Sequence, residues 1–346
     1  MPPLPPLKDV LEALQQCVLP GAGASALVLC VFLLTGRWAA ALGSAVGVVV
    51  AFMCANFSVP TLSLEDPAPT WENTSRLVLW KPIDAPKPGA AVPEEDSPKP
   101  SSCEHWLPRA ALVLVVVGLL TRWLGKAASH AIPERAWWVA NLLVWLPRIA
   151  AVYIVCAWLV MGHAASDPKW SALVWQLRVA MILVWLVLDS LSRGGLSAEV
   201  SASLCAVFYA GAAVLLYSHN AKFMELAVVI GSAMFGIAVA AGVVQVREVG
   251  AKISASGAIP VAVAFLPGLL LGTRPSHAET KVPAISFWLV ALTPLVLAPF
   301  LIPRVSRQNR WLLFASRAAL VLLPLLVAVI LAGRHEKLPY EEEPEW

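Results

Sequence analysis

Ten apolar runs of roughly a bilayer's length dominate this chain and leave few ways for it to fold. They fall at about 19–36, 38–57, 107–124, 137–162, 170–188, 198–217, 223–246, 255–272, 282–302 and 311–332, with Gly, Pro and charged residues as punctuation. A helix rises about 1.5 Å per residue, so roughly 20 residues cross the hydrocarbon layer. The runs are continuous rather than alternating, which favours helices over a β-barrel, because in lipid the backbone must satisfy its hydrogen bonds within the span. Composition agrees: 59% of the 346 residues are hydrophobic and 14% are charged, against about 25% charged in a soluble domain. The expected fold is all-α, a polytopic transmembrane helical bundle of about ten spans.

Four regions follow from this reading. Residues 1–57 hold a short amphipathic helix, apolar at Val10, Leu11, Leu14 and Val18, and then a hairpin of two spans joined by "GRW". Residues 58–106 form a Pro-rich, acidic extramembrane linker, which includes "SLEDPAPTWENTSRLVLWKPIDAPKPGAAVPEEDSPKPSS". Such a composition cannot bury a core, so it is expected to be largely disordered. Residues 107–333 form an eight-helix membrane domain, and 334–346 a charged tail. The opening residues carry Asp9 and Glu12 and lack a basic n-region, so insertion is expected to rely on the first apolar helix. Asn56 and Asn73 sit in N-glycosylation patterns, a signal that is common by chance.

With ten spans, the odd-numbered connections share one face and the termini share the other with the even-numbered connections. The odd-numbered face carries 11 basic and 4 acidic residues, and the terminal face 12 basic and 18 acidic. The 11 basic residues lie in or beside short loops, among them Arg37, Arg122, Arg193, Arg247, Arg304 and Arg317. Once the long linker is discounted, the positive-inside rule puts that face in the cytoplasm, with the termini and linker on the non-cytoplasmic side. A bacterial inner membrane is the expected location.

Three stretches repeat a W-x-x-R pattern followed by an apolar residue and Ala: Trp106 with Arg109, Trp145 with Arg148, and Trp175 with Arg178. Positions i and i+3 share a helix face, so each indole can shield its guanidinium. Trp106 and Arg109 open the third span and read as an interfacial anchor. Arg148 and Arg178 fall near the middle of their runs, where a charge costs about 2.5 to 3.5 kcal/mol on insertion scales. Two registers are open for Arg148. Either Pro147 starts the true fourth helix and Arg148 is an anchor, or the helix runs unbroken from Trp137 and Arg148 is buried near the level of Arg178. A shifted fifth span would likewise let Arg178 snorkel. If both are buried, they form a candidate anion-binding pair for a carboxylate, a phosphate or a lipid headgroup. Asp189, about 16 Å along the fifth helix from Arg178, is not an assured counter-ion.

No HExxH, GxSxG, paired mid-helix aspartates or glycine-rich phosphate loop is present, so no catalytic residues, no cofactor and no metal are expected. The six histidines all lie in loops or tails, and grouping them with Cys103, Glu104 and Asp167 makes only a weak metal constellation. The cysteines lack CxxC spacing, and Cys30, Cys54, Cys156 and Cys205 read as small buried hydrophobes. A net charge of +3 without basic clusters argues against nucleic acid. Glu225 is the one acid well inside the start of a span. Prolines interrupt the last three spans (Pro260, Pro267, Pro294, Pro299, Pro324), as in transporters but also as in membrane helices generally. Small residues from Gly231 to Gly242 suit close packing of the seventh helix, and the W-x-x-R intervals of 39 and 30 residues are too irregular for an internal duplication. The expected function is that of a non-enzymatic multi-pass membrane protein, structural or a partner in an envelope assembly, with lipid as its surroundings. The alternative is a transporter or lipid-handling protein that binds an anionic small molecule or lipid headgroup through Arg148 and Arg178.

Overall fold

A computed structural model describes residues 18–35, 39–54, 103–131, 137–160, 169–218, 221–247, 256–273, 282–302 and 310–335. The amphipathic N-terminal helix, both glycosylation patterns, the linker up to residue 102 and most of the C-terminal tail lie outside these residues. The elements are α1 (Leu19–Thr35), α2 (Ala40–Cys54), α3 (Cys103–Ala131), α4 (Trp137–Val160), α5 (Lys169–Arg193), α6 (Ser197–Tyr217), α7 (Ala221–Arg247), α8 (Ile259–Thr273), α9 (Ala284–Leu292) and α10 (Arg310–Arg334). A 3-10 helix, Thr293–Leu301, continues α9. Among the described residues there is no strand. The last four residues of the expected linker, 103–106, belong to α3.

Every expected span contains a helix, but length separates them. Seven segments are long and apolar enough to cross a membrane: Ala110–Ala128, Trp138–Ala157, Val174–Arg193, Ser197–Tyr217, Phe223–Val246, Ala284–Leu301 and Leu312–Arg334. α1, α2 and α8, at 17, 15 and 15 residues, reach only about 22 to 25 Å at 1.5 Å per residue. The expectation of about ten full spans therefore exceeds what the described helices support. Among the described residues, α8 begins at Ile259 after a turn at 256–258, later than the hydropathy of its run suggests.

The chain divides into two compact units, Val59–Ile182 and Met1–Ser58 with Leu183–Trp346, the boundary falling within α5. In the first, α3 packs along α4, and Gly125 makes room for Val144, whose Cγ2 would lie 2.9 Å from a Cβ added at that position. α4 runs straight through Pro147, so the register in which Pro147 starts the helix does not hold. Proline removes one backbone N–H and its bond to the preceding turn, a loss that membrane helices tolerate when neighbours re-satisfy the freed group.

In the second unit α7 packs on α1, α2 and α6, and α10 on α6 and α9. The small residues of α7 act as expected. A Cβ on Gly236 would meet the Ala22 carbonyl oxygen at 2.1 Å, so α1 approaches backbone to backbone, and Gly231 lies against Phe208 on α6. Ser25 donates to the Ala233 carbonyl oxygen across that contact at 3.0 Å. Ser232 gives its one hydroxyl hydrogen to Val228 O (2.7 Å), so in its 3.0 Å contact with the Tyr209 hydroxyl the tyrosine is the donor. α9 changes winding at Thr293–Pro294, where proline has no N–H to offer the α ladder, and Thr293 Oγ1 donates to Leu289 O at 2.7 Å. Thus the proline-rich ninth span continues but changes from α to 3-10 winding.

α3, α4 and α10 each expose long apolar stripes. Leu112, Val116, Leu120 and Trp123 lie along α3, and Leu323, Leu326, Val327 and Ile330 along α10. Stripes of this kind at helical spacing require an apolar surrounding. With the seven long apolar helices, they are compatible with a membrane protein.

Candidate functional site: buried arginines

Arg148 lies ten positions after Trp138 and nine before Ala157, the ends of its apolar window, and so near the middle of α4. It is 2% exposed. Its Nε donates to Thr121 Oγ1 on α3 at 2.8 Å. Thr121, itself buried, directs its own hydrogen to the Val117 carbonyl oxygen at 2.7 Å, with a longer 3.2 Å approach to Gly118 O. The hydroxyl therefore both accepts from the arginine and stays tied to its own helix. The Trp145 ring centroid lies 4.9 Å from the Arg148 guanidinium carbon, the indole shield that the W-x-x-R spacing predicts.

Arg178 is equally buried, at 3% exposure, but is held differently. Its guanidinium carbon stands 3.8 Å from the centre of the Tyr153 ring on α4 and 5.6 Å from that of Trp175. The two rings meet edge to face, with centroids 5.5 Å apart. Again the tryptophan is the i−3 partner of the pattern. Nearby, Cys156 Sγ contacts Met181 Sδ at 3.1 Å, closing the surroundings with soft apolar groups. Among the described residues the Nε and Nη2 atoms of Arg178, both buried, have no hydrogen-bond partner. The third W-x-x-R pair, Trp106 with Arg109, has no described side chains.

The two arginines do not share a level. Arg178 stacks on Tyr153, five positions along α4 from Arg148 and so about 7.5 Å further along the axis. Tyr153 lies seven positions before Val160, the last residue of α4, and Arg178 nine after Lys169, the first of α5, so they stand about 10 and 13 Å from the helix ends that face the α4–α5 connection. α5 covers the whole of the expected 170–188 span, and Arg148, twelve positions before the end of α4, lies further from that end than Arg178, which is level with Tyr153. Their described contacts differ: Arg148 donates to Thr121 on α3, and Arg178 faces the aromatic rings of Tyr153 on α4 and Trp175 on α5.

In the other unit the sequence reading missed a second set of buried charges. Arg317, counted there with loop residues, lies seven positions past Arg310 in α10 and is mostly buried. It pairs with Glu199 in the first turn of α6, and its guanidinium carbon lies 4.9 Å from the Phe300 ring centre. Arg193 pairs with buried Asp189 one turn earlier on α5 at 2.6 Å. Gln245, at the end of α7, donates to Gly195 O at 2.9 Å. Gly195 takes a φ of 91°, the left-handed region that favours glycine, and so turns α5 into α6 within three residues. The sequence held one clue to the Glu199–Arg317 pair: by span parity, both helices start on the same face.

Glu225 is exposed on α7. Among the described residues no three His, Cys, Asp or Glu side chains group as metal ligands, and of the six histidines only the side chain of His335 is described. Cys156 and Cys205 are buried, whereas Cys30 is exposed on α1. An apolar notch between α6, α8 and α9, lined by Val214, Leu215, Leu266, Phe287 and Val290 among others, presents no polar surface. No family model, no curated protein and no solved structure matches the chain.

Proposed function

We propose that this chain is a non-enzymatic integral membrane protein that acts as a helical scaffold and partner in an envelope assembly. The carrying observation is how the described helices use their buried polar groups: Arg148 with Thr121, Ser25 with Ala233, Tyr209 with Ser232 and Arg317 with Glu199 each join one helix to another. Such bonds fix helix positions. The apolar stripes of α3 and α10 leave large surfaces for lipid or for helices of another protein. On this reading the odd-numbered connections, rich in Arg and Lys, lie in the cytoplasm of a bacterial cell. Photo-crosslinkers at Leu323, Leu326 and Ile330, in intact membranes, are expected to trap discrete protein adducts. Lipid adducts alone, at these positions and along α3, would sink the proposal.

A second reading, anion binding by Arg148 and Arg178 in a transporter or lipid-handling protein, draws support from one observation. Two Arg178 nitrogens are buried with no hydrogen-bond partner among the described residues. A buried donor left unmade costs about 1 to 3 kcal/mol, and an acceptor supplied from outside the chain would recover it. Binding is tested by the dependence of thermal stability on added anions, with Arg148→Ala and Arg178→Ala as comparators.

A further inference from the structure

We infer that Arg178 is a side-on fork for an oxyanion, and that Arg148 is not part of it. The inference rests on the second reading above and narrows it to one residue, one edge of its guanidinium and one chemical class of ligand. In a guanidinium, Nη2 is the terminal nitrogen on the same side as the Nε–H. The two Arg178 donors that have no partner among the described residues therefore form one edge and point the same way. Two parallel N–H bonds match two oxygens of one carboxylate or phosphate, the geometry that distinguishes arginine from lysine. A monatomic anion or a single carbonyl oxygen leaves half of the edge unused.

Arg148 lacks that edge, since its Nε is already committed to Thr121. The flat face of Arg178 is likewise committed, to Tyr153 at 3.8 Å, and this leaves the in-plane edge for a ligand. Access is the remaining requirement. Trp175 is 55% exposed and lies on the outer side of the same helix turn, next to exposed Gln176. A swing of its indole opens the fork towards the end of the two helices that faces the α4–α5 connection, about 10 Å away along α4, where headgroups would lie. The matching ligand is thus a phosphate or carboxylate group at the membrane boundary, carried by an anionic lipid or free in solution.

The chain's own candidate for this edge is Asp167, which the sequence places in the α4–α5 connection, and the experiment must separate it from an external ion. Full-length protein in nanodiscs of phosphatidylcholine alone is compared with nanodiscs containing phosphatidylglycerol, and with the former plus inorganic phosphate, acetate or chloride. The readout is the thermal midpoint as a function of anion. Wild type and Arg148→Lys are expected to respond to phosphatidylglycerol, or to phosphate and acetate, but not to chloride. Arg178→Lys, which keeps the charge and loses the parallel pair, is expected to bind roughly tenfold more weakly. A response to the lipid alone identifies a headgroup, and a response to inorganic phosphate a soluble ion; both support the fork.

Equal losses in Arg148→Lys and Arg178→Lys would overturn the fork while leaving anion binding intact. No anion response in wild type would overturn both. If the response appears only in Asp167→Asn, the chain fills its own site and the inference fails. Should Arg178→Lys not fold, dipolar coupling between 15N of Arg178 Nε and 31P in the wild-type protein decides: coupling supports the fork, and its absence in both the lipid and the phosphate samples overturns it.

Discussion

The two units of this protein surround arginine in opposite ways. In Val59–Ile182, Arg148 and Arg178 are met by a hydroxyl and by aromatic rings. In the other unit buried Arg317 and exposed Arg193 are met by the carboxylates of Glu199 and Asp189. Aromatic faces and hydroxyls solvate a cation without cancelling its charge. Carboxylates cancel it, but leave an uncompensated anion behind if the arginine is lost. One unit therefore sets hydroxyl and aromatic groups beside its arginines, while the other sets carboxylates there, Glu199 across two helices and Asp189 within one. The penalty for losing an arginine is expected to be greater in the second unit.

Substitutions can break this contrast, beginning with the largest expected effect. Arg317→Met should destabilise by about 3 kcal/mol, the lower end for breaking a buried pair, because Glu199 is 32% exposed. Thermal unfolding in nanodiscs measures it, and the double variant Arg317→Met with Glu199→Gln should recover most of the loss. If the single variant is neutral, the pair is not a structural tie.

Thr121→Val comes next, at about 2 kcal/mol, because it strips a buried Arg148 donor of its acceptor while keeping the side-chain shape. Thr121→Ser, which keeps the hydroxyl, should lose less than half as much in the same assay. Equal losses would assign the effect to packing instead.

Trp175→Leu and Trp145→Leu each remove one ring beside a guanidinium and should cost about 1 kcal/mol. The smaller loss is expected at Trp175, where the ring is further away and Tyr153 still covers the cation. The reverse order would place the main support of Arg178 on the tryptophan.

The smallest change has the opposite sign. In phosphatidylcholine without added anions, Arg178→Met should be neutral or stabilising by up to about 1 kcal/mol, since two buried donors with no partner among the described residues disappear. Arg317→Met and Arg178→Met thus differ in direction, and an equal loss in both would erase the distinction between the units.

Much of this architecture was legible residue by residue. Apolar runs mark helices because lipid forces each span to satisfy its own backbone, and all ten runs contain one. The W-x-x-R spacing predicts indole shielding because i and i+3 meet within a single helix, and both described examples show it. Glycines in α7 mark a close approach because only a missing Cβ lets backbones meet.

What local pattern left open needed the neighbouring helices. Whether α4 breaks at Pro147 depends on what surrounds the freed carbonyl, and the helix continues. The levels of Arg148 and Arg178 depend on which residues face each other across α4 and α5, and Tyr153 sets that register. Glu199 and Arg317 are 118 positions apart in the chain, and only the packing of α6 on α10 makes them a pair. Hydropathy and helical spacing are properties of one segment read alone, whereas a counter-ion, an acceptor or an empty guanidinium edge is a property of two segments brought together.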